Sequence, residues 1–186
     1  FFEAMSNFKK PIIMVGSESS VDSIPVVKID NHKASCEATH YLLELGHTKI
    51  AMIRGPLSDP QSGNERYEGF KQTLQKVGVF DESLVAEGWY SFDDGYKAMA
   101  HILSVDKTIT AVFCACDLMA IGAMKCAMDN GIEIPSQISF IGFDDVEIAR
   151  MYNPSLTTIK QPFEEKGKLA ITTLIRMRSE ERRVGK

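Results

Sequence analysis

The sequence predicts an α/β fold of doubly wound parallel sheets, and three observations carry the prediction. Short runs rich in Val, Ile and Phe alternate with longer segments of helical period. Helical segments close on Gly46, Gly78 and Gly131, the residue type favoured just past a helix C-terminus. Strand and helix in strict alternation is the pattern of a parallel sheet covered on both faces.

The elements follow in order. Residues 11–16 and 26–30 read as strands, and 34–45 as a helix that Gly46 ends. Residues 49–53 form the next strand. The segment 64–77 places Tyr67, Phe70, Leu74 and Val77 on one helical face. A weak strand at 84–87, a helix at 93–103 and a strong strand at 109–113 repeat the cycle. Asp117 can cap a helix over 118–129, which stops at Asn130-Gly131. Residues 138–142 are a strand and Asp144-Asp145 a turn. The chain ends with an extended stretch at 156–160 and a helix at 163–177. The turn Asn153-Pro154-Ser155 reads as a domain boundary.

Composition narrows the function. With 186 residues, 44% hydrophobic and 25% charged, the chain is an ordinary globular one. It has no apolar run near the ~20 residues that span a bilayer. A net charge of -4 and a pI near 5.6 give no basic footprint for nucleic acid, so any DNA contact must come from outside this chain. Phe1 is not an initiator Met, and no signal peptide follows it; residues 179–186 are a polar tail. Both ends read as truncation edges. Cys114 and Cys116 share one strand face and are poorly placed to bridge each other, and no Cys/His spacing suits zinc. Together with Cys36 and Cys126 they read as buried free thiols of a reducing cytoplasm, with no metal and no cofactor.

An open parallel sheet binds ligands beyond the carboxyl ends of its strands. The residues there are Arg66, Trp89, Tyr90, Cys116, Asp117, Asp144 and Asp145. A guanidinium fork, an aromatic pair and carboxylates suit a polyhydroxylated ligand with a stacking face. Each residue also has a plainer reading. Arg66 can be a solvated helix charge, Asp117 and Asp145 caps, and Trp89 and Tyr90 core. Catalysis is disfavoured: the chain has no Gly-x-Gly-x-x-Gly turn, P-loop or Gly-x-Ser-x-Gly elbow, and His32, His40, His47 and His101 have no nucleophile partner.

Five segments then occur in order: residues 41–51 (YLLELGHTKIA), 65–70 (ERYEGF), 117–123 (DLMAIGA), 141–145 (IGFDD) and 156–162 (LTTIKQP). Together they resemble the regulatory core of the lactose/galactose repressor family, most nearly its cytidine, purine and ribose repressor branch, over about Pro11 to Met177. The resemblance implies a periplasmic-binding-protein-like (type I) sensor of two subdomains flanking an effector cleft, here truncated. Residues 1–30 and 156–178 would be the remnant of the N-terminal subdomain, and 31–155 the C-terminal one. On the same resemblance, the helix-turn-helix head would be absent.

It further implies a cytoplasmic homodimer that binds a pentose, nucleoside, purine or other sugar, and reaches operator DNA through the missing head. Arg66, Asp144, Tyr90, Cys116 and Phe163 would contact the effector, and exposed Met119, Met124, Met128, Ile148 and Met151 would form the dimer interface. Cys116 stands where sugar-binding members carry Asn, and Gly16 lacks a polar side chain that some members present. The rival reading is a periplasmic sugar-binding protein of a transporter or chemoreceptor, with the same architecture.

Overall fold

A computed structural model describes residues 10–19 and 21–184. They divide into two units, one made from the two ends of the chain and the other from residues 30–161. In the smaller unit, strands β1 (Met14–Val15) and β2 (Val26–Val27) pair in parallel, and helix α6 (Phe163–Val184) packs on both. This helix runs well past the predicted end at Met177, because its charged residues include the good helix formers Glu and Arg. Residues 1–9 of the predicted N-terminal remnant lie outside the described residues.

The larger unit contains a five-stranded parallel sheet. Its strands are β3 (Ile50–Arg54), β4 (Val85–Glu87), β5 (Ala111–Cys114), β6 (Ser139–Asp144) and β7 (Thr157–Lys160), in the order β4-β3-β5-β6-β7. Four helices follow the alternation: α1 (Asn31–Glu44), α2 (Arg66–Lys76), α3 (Phe92–Val105) and α4 (Asp117–Asp129). A short helix α5 (Glu147–Met151) precedes β7. The boundary differs from the one predicted at Leu156. The strand Thr157–Lys160 pairs with β6 along its length, so Asn153-Pro154-Ser155 is an internal turn and the unit ends at Gln161.

Strand alternation divides the core between two faces. Val112 and Cys114 point into a cluster with Met99, Ile102, Met119 and Met124 of α3 and α4. Phe113, between them, points the other way and meets Phe70 of α2 at a ring separation of 6.2 Å. Helices α1 and α2 pair with each other, as do α3 and α4.

Helices α3 and α4 meet at backbone distance through two glycines. A Cβ at Gly95 would lie 2.1 Å from the Met119 carbonyl oxygen, and one at Gly122 would lie 2.0 Å from that of Phe92. Two effects compete when Gly122 becomes Ala. Helix propensity favours Ala by about 1 kcal/mol, whereas overpacking against backbone costs about 1–3 kcal/mol. The backbone cannot rotate away as a side chain could, so packing wins. Gly122→Ala is expected to lower the urea midpoint of unfolding with an unchanged slope; a raised midpoint would mean that the helices separate freely.

Candidate functional site

The strand order locates the site. From β3 the sheet grows in one direction to β4 and in the other to β5, β6 and β7. Such a reversal opens a crevice between the carboxyl ends of the two strands where it occurs, here β3 and β5. The chain leaving β3 makes a π-helical turn, Pro60–Glu65, capped by Asp59, whose Oδ1 accepts from the amides of Gln61 and Ser62 at 3.0 Å each. That turn delivers Arg66, the first residue of α2, beside Ala115, just past β5.

Arg66 is only 3% exposed, so the reading of it as a solvated helix charge is set aside. Its Nε donates to Asn31 Oδ1 at 2.9 Å, and Nη1 donates to the Ala115 carbonyl. Its guanidinium carbon lies 3.5 Å from the centroid of the Phe143 ring. Nη2 stands 3.6 Å from Asp144 Oδ1, an ion pair too long for a direct hydrogen bond. Burial lowers the Arg66 pKa, and the negative charge of Asp144 opposes that shift most. The group remains a cation, because a guanidinium is not deprotonated in proteins.

Asp144 ends β6 at φ 114° and also accepts from Gln161 Nε2 at 2.5 Å. Tyr90 sits at φ 61°, and its hydroxyl donates to Asp59 Oδ2 at 2.7 Å. Burial first, and then the Asp59 bond, push its pKa up, so the phenol stays neutral. Gly55 makes room for it, since a Cβ there would lie 2.1 Å from the Tyr90 oxygen. Backbone strain at Tyr90, Asp144 and Asp145 is the kind that gathers at ligand sites. The larger unit thus brings Arg66, Asp144, Cys116, Tyr90 and Asp59 to one strand edge.

Other expectations need correction. Trp89 is 67% exposed, so it is not core. Asp117 is not a helix cap: the N-cap position is Cys116, which makes no side-chain cap bond. The Asp117 carboxylate instead accepts from the Val146 amide at 2.8 Å and from Thr158 Oγ1 at 2.5 Å. Met119 and Met124 are not exposed but core, at 0% and 1%, because α4 packs both on the sheet and along α3. Met128 is half-buried, and only Ile148 and Met151 are exposed, at 45% and 70%; Leu118 joins them. Phe163 belongs to the smaller unit, where Lys166 Nζ lies 4.9 Å from its ring centroid. Cys114, Cys116 and Cys126 are buried free thiols, but Cys36 is half-buried.

Sequence reasoning missed Asn31, Asp59 and Gln161. Asp59 had a local signal, an Asx residue before proline. Asn31 and Gln161 had none, since they meet Arg66 and Asp144 only through the fold. A separate cavity of about 460 Å³ opens at the amino ends of β6 and β7, lined by residues that include Tyr41, Leu45, His47 and Phe140. It is on the opposite edge from Arg66. Among the described residues no group of His, Cys, Asp or Glu stands together to hold a metal ion.

Residues 39–186 match the model of the periplasmic binding protein-like domain. The HTH-type transcriptional repressor CytR of Escherichia coli is 37% identical over 89% of this chain and 48% of its own length. Catabolite control protein A of Priestia megaterium is 32% identical over 96% of the chain and 54% of its own. Among solved structures, the E. coli transcriptional repressor ascG superposes with a TM-score of 0.85 at 31% identity, covering 96% of this chain and 65% of that one. The chain spans about half the length of the curated relatives it matches.

The buried thiols give a test of the site's dryness. Burial pushes Cys116 up to about 11 and Cys114 well above its usual value. Because an unfolded thiol ionises first, near pH 8.5, the folded state loses stability as pH climbs from there towards the folded value. At about pH 8 both thiols stay protonated, and only thiolates react. Iodoacetamide is expected to modify Cys36 and spare Cys114 and Cys116 until denaturant is added, as read by mass spectrometry of peptides. Rapid native labelling of Cys116 would mean an open, wet site.

Proposed function

The chain belongs to the family of periplasmic binding protein-like domains that LacI-type repressors share, and we propose that it is the ligand-sensing and dimerisation region of a bacterial transcriptional regulator. The observation that supports this most is the pairing of buried Arg66 with half-buried Asp144 at the crevice between β3 and β5. A guanidinium and a carboxylate held 3.6 Å apart offer donors and acceptors to vicinal hydroxyls without first neutralising each other in a tight bond.

Tyr90 supplies an aromatic ring beside them and Cys116 a weak hydrogen-bonding wall. A thiol in place of an amide favours a ligand with an apolar edge here. We infer a pentose, nucleoside or purine rather than a fully hydroxylated hexose. Effector binding would shift the balance between two arrangements of a dimer, and operator affinity with it, through a DNA-binding head outside this chain. The relatives are regulators rather than enzymes. Among the described residues no helix is long and apolar enough to cross a membrane.

Isothermal titration with ribose, cytidine and hypoxanthine tests the site. Arg66→Ala is expected to weaken the bound probe about 10- to 150-fold, the range for losing one hydrogen bond to a charged group. Arg66→Lys keeps the charge but loses the fork, and should fall between. Unchanged affinity in Arg66→Ala would place the site elsewhere. The dimer surface is tested at Ile148 and Met151, whose exposure makes them safe to change. Replacing both with Asp is expected to shift sedimentation towards monomer without lowering the melting temperature. A dimer that survives would move the interface off α5.

A further inference from the structure

We propose that Asp117 is the positioning residue of the effector site, a latch that holds Asp144 opposite Arg66 and ties that turn to the exposed helix α5. The inference rests on the reading of Arg66 and Asp144 as effector contacts.

The geometry is specific. Asp117 is 1% exposed, yet neither oxygen serves its own helix as a cap. Oδ2 accepts from the Val146 amide, and Val146 is the N-cap residue of α5. Oδ1 accepts from Thr158 Oγ1 on β7, and the same Thr158 oxygen receives the Asp145 amide at 3.4 Å. One carboxylate therefore fastens the two residues that follow Asp144, Val146 directly and Asp145 through Thr158. That turn has the left-handed backbone at Asp144 (φ 114°) and Asp145 (φ 57°), which does not hold itself in place. Gly142 lets the carboxylate approach β6: a Cβ there would lie 2.3 Å from Asp117 Oδ1.

Two consequences meet at this point. Upstream of the latch is Asp144, which faces Arg66 and is bonded by Gln161. Downstream is α5, whose Ile148 and Met151 face solvent. A ligand that pulls on Asp144 must move against the Val146 and Thr158 bonds, so occupancy of the site is felt at α5.

The test compares Asp117→Ala, Asp117→Asn and Thr158→Val in the full-length protein. Asn can still accept the Val146 amide through Oδ1 and donate to Thr158 Oγ1, so it should act as the conservative rescue. Without ligand, amide exchange read by mass spectrometry over residues 144–152 is expected to rise about tenfold in Asp117→Ala and Thr158→Val, the effect of one lost hydrogen bond. It should stay near wild type in Asp117→Asn, and α1 and α2 should be unchanged in all three.

Titration with the probe that the wild type binds should show a parallel loss of about tenfold in Asp117→Ala and none in Asp117→Asn. If none of ribose, cytidine and hypoxanthine binds the wild type, the ligand reading fails while the exchange pattern still decides the latch. If Asp117→Ala does not fold, Thr158→Val carries the comparison. Exchange that rises equally across the larger unit, or not at all over 144–152, or an Asn variant as impaired as Ala, would overturn the proposal.

Discussion

The constraint on which the larger unit depends is a cation with almost no access to water. Removing one partner of a buried charge pair costs about 3–5 kcal/mol, so the surroundings of Arg66 must answer it from every side. Asn31 comes from the start of α1, Ala115 from the end of β5, and Phe143 and Asp144 from the end of β6. Ser35 of α1 donates to the carbonyl of Arg66 itself. Three connections that are far apart in sequence are thus bound to one side chain. The carboxyl edge is ordered because Arg66 is buried, and Arg66 can be buried because that edge is ordered.

The same edge shows how electrostatics and backbone conformation support each other. Tyr90 and Asp144 adopt backbone angles that ordinary residues avoid, and each is secured by a side-chain bond across the fold. Asp59 does double service, since one oxygen caps the π-helical turn and the other receives the Tyr90 hydroxyl. The aromatic ring is therefore positioned by the turn that delivers the guanidinium.

Much of this was legible in the sequence, and what was not has physical reasons. Periodicity marked the strands and long helices because each buries a continuous apolar face, as Tyr67, Phe70 and Leu74 do on α2. That Arg66 and Asp144 lie at one edge of the sheet was legible because both follow or end parallel strands, at their carboxyl ends. Met119 and Met124 were misplaced because α4 is apolar nearly all round, and such a helix gives no sign of which face meets the sheet. Asp117 looked like a cap because an acid at the start of a helix usually is one; the turn after β6 and the return of β7 beside it offer it other donors, Val146 and Thr158. The boundary near Leu156 was misjudged for a related reason, since an edge strand reads as a linker until its partner is known.

The reversal of strand order at β3 has a consequence for how such a protein changes over generations. The residues around Arg66 arrive on separate connections, while the helices and strands that support them are packed elsewhere. Cys116 shows the limit of that separation, since it borders the crevice and is also part of the core shared by α3 and α4. On the proposed reading, taste for a new molecule can drift one connection at a time, on a frame that need not be rebuilt.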